Sequence, residues 1–187
     1  MSLDMKVIRA IAVFSLFLGN LVNAEPPSQA EEVIEKVDAL MKEQRAGEAA
    51  DLLEKALKDN PDDSEILRKL GGIYSVVLKQ PGKGAPLLEK AFKLSNMTDS
   101  KCLQFLALSQ ISMKDDKGIL AYKKHYIDNF EQLSGARVVC FYIAGLERDG
   151  TLFNELLKKT PDEDIESDKS LTLMIARTAK VLVASGQ

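Results

Sequence analysis

The chain has 187 residues, 45% of them hydrophobic and 28% charged, enough apolar material for one domain or one repeat array with its own core. A net charge of −3 with no Lys/Arg cluster argues against a phosphate-neutralising surface, so no nucleic acid is expected as a partner. One histidine and scattered cysteines give no metal-ligand spacing, and no metal or cofactor is expected.

Residues 1–24 have the layout of a signal peptide. Lys6 and Arg9 form a basic start, Ala10 to Leu18 a short apolar run, and Gly19-Asn20 a break. Val22 and Ala24 are the small residues that a signal peptidase reads, which sets cleavage after Ala24 and leaves 25–29 as an extended polar terminus. The run is shorter than the ~20 residues needed to cross a bilayer. A cleaved, exported protein of the periplasm or the extracellular space is therefore expected over an uncleaved anchor, with no integral membrane segment after cleavage.

Beyond Ala24 the chain reads as helices broken by Gly, Pro, Asn and Asp, with almost no strand signal. Leu52-Leu53-Glu54-Lys55-Ala56-Leu57-Lys58 recurs as Leu87-Leu88-Glu89-Lys90-Ala91-Phe92-Lys93, an offset of 35. Ala49, Leu53, Ala56 and Pro61 keep the spacing of Gly84, Leu88, Ala91 and Asn96. Gly118, Tyr122, His125 and Phe130 follow it more loosely. Repeats are placed at residues 30–63, 64–98 and 99–132, the second with one extra residue within Gln80 to Gly84. Ser28-x2-Glu31 and Asp62-x2-Glu65 read as capping boxes opening the first two. Gly47, Gly82 and Gly118 fall in or near the turns inside the repeats, and Pro86 suits a first helical turn. Across 133–167 a degenerate fourth pair, 136–148 and 151–159, precedes an acidic loop. A final helix over 169–184, within 168–187, carries Leu171, Met174, Ile175, Ala179 and Leu182 on one side, as a helix closing an array would.

Leu67-x2-Leu70-Gly71-x2-Tyr74 and Ala49-x3-Leu53-x2-Ala56-x4-Pro61 resemble the two halves of the tetratricopeptide repeat, a helix–turn–helix unit of about 34 residues. Leu stands in for the family's Trp and Phe. In the third repeat Phe105-Leu106 replaces Leu-Gly, and His125 takes a small-residue position. The resemblance implies an all-α, tetratricopeptide-like superhelix of three to four helix–turn–helix repeats plus a C-terminal capping helix. It also implies tight packing at Gly71, Ala49 and Ala56. In that family the first helices line a concave groove that holds peptides. Carried across by repeat position, the groove residues are Ile34, Asp38, Met41, Arg68, Gly72, Val76, Leu103, Ala107, Ile111, Arg137 and Phe141. Arg68 and Arg137 would serve as cations for a partner's carboxylates. A register error of one residue would instead send Leu103, Ile111 and Phe141 into the core. The family's carboxylate clamp is absent, since Lys36 is followed four residues later by Leu40.

His125 reads as an ordinary helix residue, because no nucleophile–acid arrangement surrounds it in the sequence. Asp62-Asp63, Asp115-Asp116 and the run from Asp162 to Asp168 read as helix-capping carboxylates, without the glycine and distal Glu of an EF-hand loop. Cys102 and Cys140 allow one disulfide, or pack as small apolar residues. The expectation is a non-enzymatic adaptor or scaffold of the cell envelope that binds a protein or peptide partner, an envelope or secretion/assembly component. The alternative is a helical module for an apolar small molecule or lipid. N-terminal sequencing of the protein from its native source should read Glu25; an intact Met1 on a membrane-bound product would overturn the cleavage site.

Overall fold

The computed structural model describes residues 29–186; the expected signal peptide, its cleavage site and Ser28 lie outside them. Among the described residues the chain forms eleven α-helices, one π-helical turn and no strand, and no helix is long and apolar enough to cross a membrane. The helices are α1 (Gln29–Lys42), α2 (Ala46–Asp59), α3 (Ser64–Gly72, continued by a π turn, Ile73–Val77), α4 (Pro81–Leu94) and α5 (Ser100–Met113). They continue with α6 (Asp116–Ala121), α7 (Lys123–Asp128), α8 (Ser134–Glu147), α9 (Gly150–Lys159), α10 (Asp162–Ser167) and α11 (Lys169–Ser185).

Helices α1, α3, α5 and α8 begin at steps of 35, 36 and 34 residues, and their partners α2, α4, α6 and α9 at steps of 35, 35 and 34. Packing is local in sequence. α3 lies on α2 and α4, α5 on α4 and α6, and α8 on α6, α7 and α9. Helices α3 and α5 also touch each other, as do α5 and α8, and then α8 and α11. Such an order is compatible with a solenoid.

Two local devices set the period. Each turn inside a pair contains a left-handed residue that is not glycine: Gln44, Lys79, Lys114 and Arg148. At Lys114 and Arg148 the next amide reaches back to close the preceding helix, Asp115 N–H to the Gln110 carbonyl at 2.9 Å and Asp149 N–H to that of Ala144 at 2.9 Å. Gly47, Gly82 and Gly118 lie just after these turns, inside the first turns of α2, α4 and α6. Aspartates supply the second device. Asp63, Asp99, Asp115, Asp149 and Asp168 each accept backbone N–H groups at the start of a helix. The cap of α3 is thus Asp63 and not Asp62, which pairs instead with Lys90 at 2.7 Å. Part of the acidic run expected to be a loop forms the short helix α10.

Packing follows the small residues, with one shift. A Cβ at Gly84 would lie 2.5 Å from the Gly71 carbonyl oxygen, and one at Gly71 would lie 2.6 Å from Leu88 Cγ. The backbones of α3 and α4 therefore meet directly, and Leu88 seals the crossing with no exposure. A leucine buried so fully contributes ~1.5–3 kcal/mol. Ala49 and Ala91 are fully buried, but Ala56 is only half-buried, so the tightest contact lies at the glycine pair and not at Ala56. Pro86 sits well inside α4, which opens with Pro81 at its first turn. Pro86 is exposed, so its ring projects from the helix surface.

The third pair is interrupted. The second helix breaks at Tyr122, between α6 and α7. By the motif spacing His125 corresponds to Ala91 of the preceding pair. His125 is half-buried and edge-on to Phe92 at 5.5 Å between ring centroids. Below it Tyr126, fully buried, donates to the Gln110 side chain at 2.6 Å, and burial pushes its phenol far above the ordinary range.

Gly84→Ala should destabilise the fold by about 1–3 kcal/mol in urea denaturation, because the new methyl overlaps backbone. Gly82→Ala, with nothing within 4 Å of the new Cβ, should be neutral or stabilising by up to about 1 kcal/mol.

Candidate functional site

The first helices of successive pairs form one connected row, and their contacts define the face on which the expected groove residues were placed. Lys69 of α3 meets Asp38 of α1 at 2.6 Å, and Arg68 of α3 meets Asp99, the cap of α5, at 3.4 Å. The Phe105 ring of α5 lies against Gly72, and Gln104 of α5 against Gly135 of α8. Thr178 of α11 donates its hydroxyl to the Phe141 carbonyl of α8 at 2.9 Å. α11 therefore stands in the place of a fifth first helix.

On α1 and α3 the expected residues lie at or near the surface. Ile34, Met41, Arg68 and Val76 are half-buried, and Asp38 is exposed. Gly72 leaves no free space, because Phe105 fills it. On α5 and α8 the assignment is corrected. Leu103, Ala107 and Phe141 are 1%, 0% and 0% exposed, and they belong to the core. Ile111 alone of the α5 set remains half-buried on the face.

The cause is a register shift of one residue. Asp63 and Asp99, the two caps, are 36 positions apart, whereas the left-handed residues Lys79 and Lys114 are 35 apart. The difference is absorbed by the π turn Ile73–Val77, where Leu78 N–H reaches Ile73 O at 2.9 Å. Before that turn, Arg68 corresponds to Gln104 and Gly72 to Leu108. After it, Val76 corresponds to Ile111. The same shift puts Val138 and Tyr142 where Arg137 and Phe141 were expected. Leu108 is 41% exposed, which fits a face position. The extra residue expected near Gln80 to Gly84 is thus taken up earlier, inside α3. Alignment on the capping aspartates rather than on the apolar run would have revealed the shift.

The two expected cations have partners inside the chain. Arg137 donates to the Phe130 and Glu131 carbonyls at 3.1 and 2.8 Å and to Asp164 at 2.7 Å, tying α10 to the end of α7. Its side chain is only 16% exposed. Arg68 lies between Glu65 at 3.3 Å and Asp99 at 3.4 Å. Asp99 also receives the Cys102 thiol at 3.3 Å; burial, with that carboxylate beside it, pushes the thiol up to about 12. Cys140 is pushed to about 12 by burial alone. Both cysteines are free and buried, so no disulfide joins them. They are uncharged thiols at neutral pH.

At the end of the row a groove opens between α8 and α11. Its volume is about 340 Å³, and it is lined by Tyr142, Gly145, Leu146 and Arg148 on one side and Met174, Arg177, Thr178 and Val181 on the other. None of these residues belongs to the set read from the sequence. Gly145 forms its floor: a Cβ there would stand 3.3 Å from Thr178 Oγ1. Tyr142 turns its hydroxyl away to donate to Asp116 at 2.7 Å, and burial followed by that hydrogen bond pushes its phenol up to about 12. That hydroxyl is therefore already engaged.

No family model, no curated protein and no solved structure matches this chain.

Arg137→Ala should lower stability by about 2 kcal/mol in chemical denaturation, since it orphans two carbonyls and the Asp164 carboxylate. Arg68→Ala should cost no more than about 1 kcal/mol, its ion pairs being longer and its partners partly solvated.

Proposed function

We propose that the chain is a tetratricopeptide-type superhelix, exported through the signal at residues 1–24, that acts as a non-enzymatic adaptor of the cell envelope. It holds a peptide segment of a partner along the face of its first helices. The observation that carries this reading is the apolar row on that face. Met41, Val76 and Ile111 are half-buried, Leu108 is exposed, and the ring of Tyr142 continues the row on α8. Apolar side chains left at the surface of helices that already touch one another are suited to anchoring another chain.

Two further features support it. Leu67, Leu70, Gly71 and Tyr74, the residues that carry the repeat motif, are all buried at the α3–α4 interface or beside it. The buried thiols are held uncharged, the aspartates at the helix starts cap, and His125 packs against Phe92. The open groove between α8 and α11 favours a peptide over an enclosed apolar ligand, and the adaptor requires neither metal nor cofactor.

The test compares two leucines on one helix. With a partner isolated from the native envelope fraction, Leu108→Glu should weaken binding tenfold or more, about 1.4 kcal/mol. Its stability should stay within roughly 0.5 kcal/mol of the parent. Leu103→Ser should instead unfold or strongly destabilise the chain. Unchanged binding in folded Leu108→Glu would remove the face from the interaction.

A further inference from the structure

Charge and shape at the α8–α11 groove go beyond a general peptide-binding face. We propose that this groove is the specificity subsite of the array, taking one bulky apolar side chain of a partner peptide whose neighbouring residues are acidic. The inference rests on the reading of the first-helix face as a peptide-binding surface.

The inside of the groove is apolar in effect. Met174 and Thr178 are 8% and 3% exposed, and the Thr178 hydroxyl is committed to the Phe141 carbonyl, so it offers no free donor to a ligand. Gly145 lets Thr178 approach α8 closely at the floor, and Val181 on the wall is 44% exposed. A volume of about 340 Å³ lies near the bottom of the ~300–1,000 Å³ range of ligand sites. It suits one or two side chains and is small for a two-tailed lipid.

The rim is cationic. Arg148 and Arg177 line the groove, both are exposed, and neither makes an ion pair among the described residues. The carboxylates that flank Arg148 and the one that meets Tyr142 each have a partner. Glu147 is held by Lys123 at 2.6 Å, Asp149 caps α9 through the Leu152 N–H, and Asp116 receives the Tyr142 hydroxyl. Helix α11 carries Lys169, Arg177 and Lys180 and no acidic residue at all, in a chain whose net charge is −3. The position of Arg148 at the C-terminal end of α8 is favourable for a cation, because the helix dipole is negative there. Two unpaired guanidinium groups beside an apolar slot complement a hydrophobic residue flanked by carboxylates, which guanidinium binds in bidentate fashion.

The probe is a random peptide library displayed on phage and selected on the full chain. Enriched peptides should share Leu, Ile, Phe or Met next to Asp or Glu. Synthetic copies should bind the Arg148→Glu/Arg177→Glu variant at least tenfold more weakly, and Val181→Asp, on an exposed position, should weaken them similarly. Circular dichroism of both variants should match the parent. Peptides without acidic residues, or peptides that bind both variants at full strength, would overturn the subsite. If those same peptides still lost affinity for Leu108→Glu, the wider face would stand without it. If they did not, or if no peptide were enriched, both readings would fall. Laurate, which carries the same carboxylate on an apolar chain, separates the two sources of that chemistry. Tight laurate binding that depends on Arg148, Arg177 and Val181 would replace the peptide by an anionic amphiphile.

Discussion

The carboxylate of Asp99 holds the middle of the molecule in register. One of its oxygens caps α5 through the Lys101 and Cys102 amides, at 2.9 and 3.1 Å, and the other meets Arg68 of α3 and the Cys102 thiol. Where α5 starts decides which of its residues point inward, since a helix rotates by 100° per residue and a shift of one position exchanges face for core. Leu103 and Ala107 are buried, and Leu108 is exposed, because the cap is at Asp99. The next helix pair inherits that phase: Val139, Cys140 and Phe141 go inside and Tyr142 comes to the surface.

A second constraint complements the first. Between α3 and α4 the backbones touch at Gly71 and Gly84, whereas α5 is separated from α4 by larger side chains such as Leu103, Leu106 and Phe92. Ser75 Oγ is buried beside Gly84 without a hydrogen-bond partner, at the point where the π turn begins to widen α3. The close crossing and the π turn are thus neighbours. The turn adds one residue to α3 without lengthening the helix pair, so the extra residue changes the phase of α5 and α8 but not the stacking. In the next pair the second helix breaks at Tyr122, three residues before His125.

The same economy of contacts shapes the surface. Most charges near the helix ends are used as caps or as links between neighbours: Lys69 to Asp38, Lys90 to Asp62, Lys123 to Glu147 and Arg137 to Asp164. Exposed pairs of this kind add little stability each. They do consume the cations that a sequence reading would assign to a ligand. Among the described residues the guanidinium groups of Arg148 and Arg177, without an ion pair beside an apolar surface, therefore stand out chemically.

The all-helical character, the existence and order of the helices and the closeness of Gly71 and Ala49 to a partner helix were legible in the residues. They depend on local propensity, on the recurrence of one motif and on which side chains are small. The final helix and its buried side, Leu171, Met174 and Leu182, were legible for the same reason. The face of α5 and α8 was not, because a repeat spaced at 35 in its second helices and 36 in its first carries two periods, and only a backbone shows where the extra residue is absorbed. The roles of Arg68 and Arg137 were hidden likewise, since Asp99 and Asp164 lie 31 and 27 positions away from them and approach only when the pairs stack. The α8–α11 groove joins residues more than 25 positions apart, and the close approach of its two helices uses a glycine that the repeat pattern does not mark. Sequence alone determined what each helix is made of; tertiary packing decided which side of it meets the solvent, because a single inserted residue turns a helix by more than a quarter of a revolution.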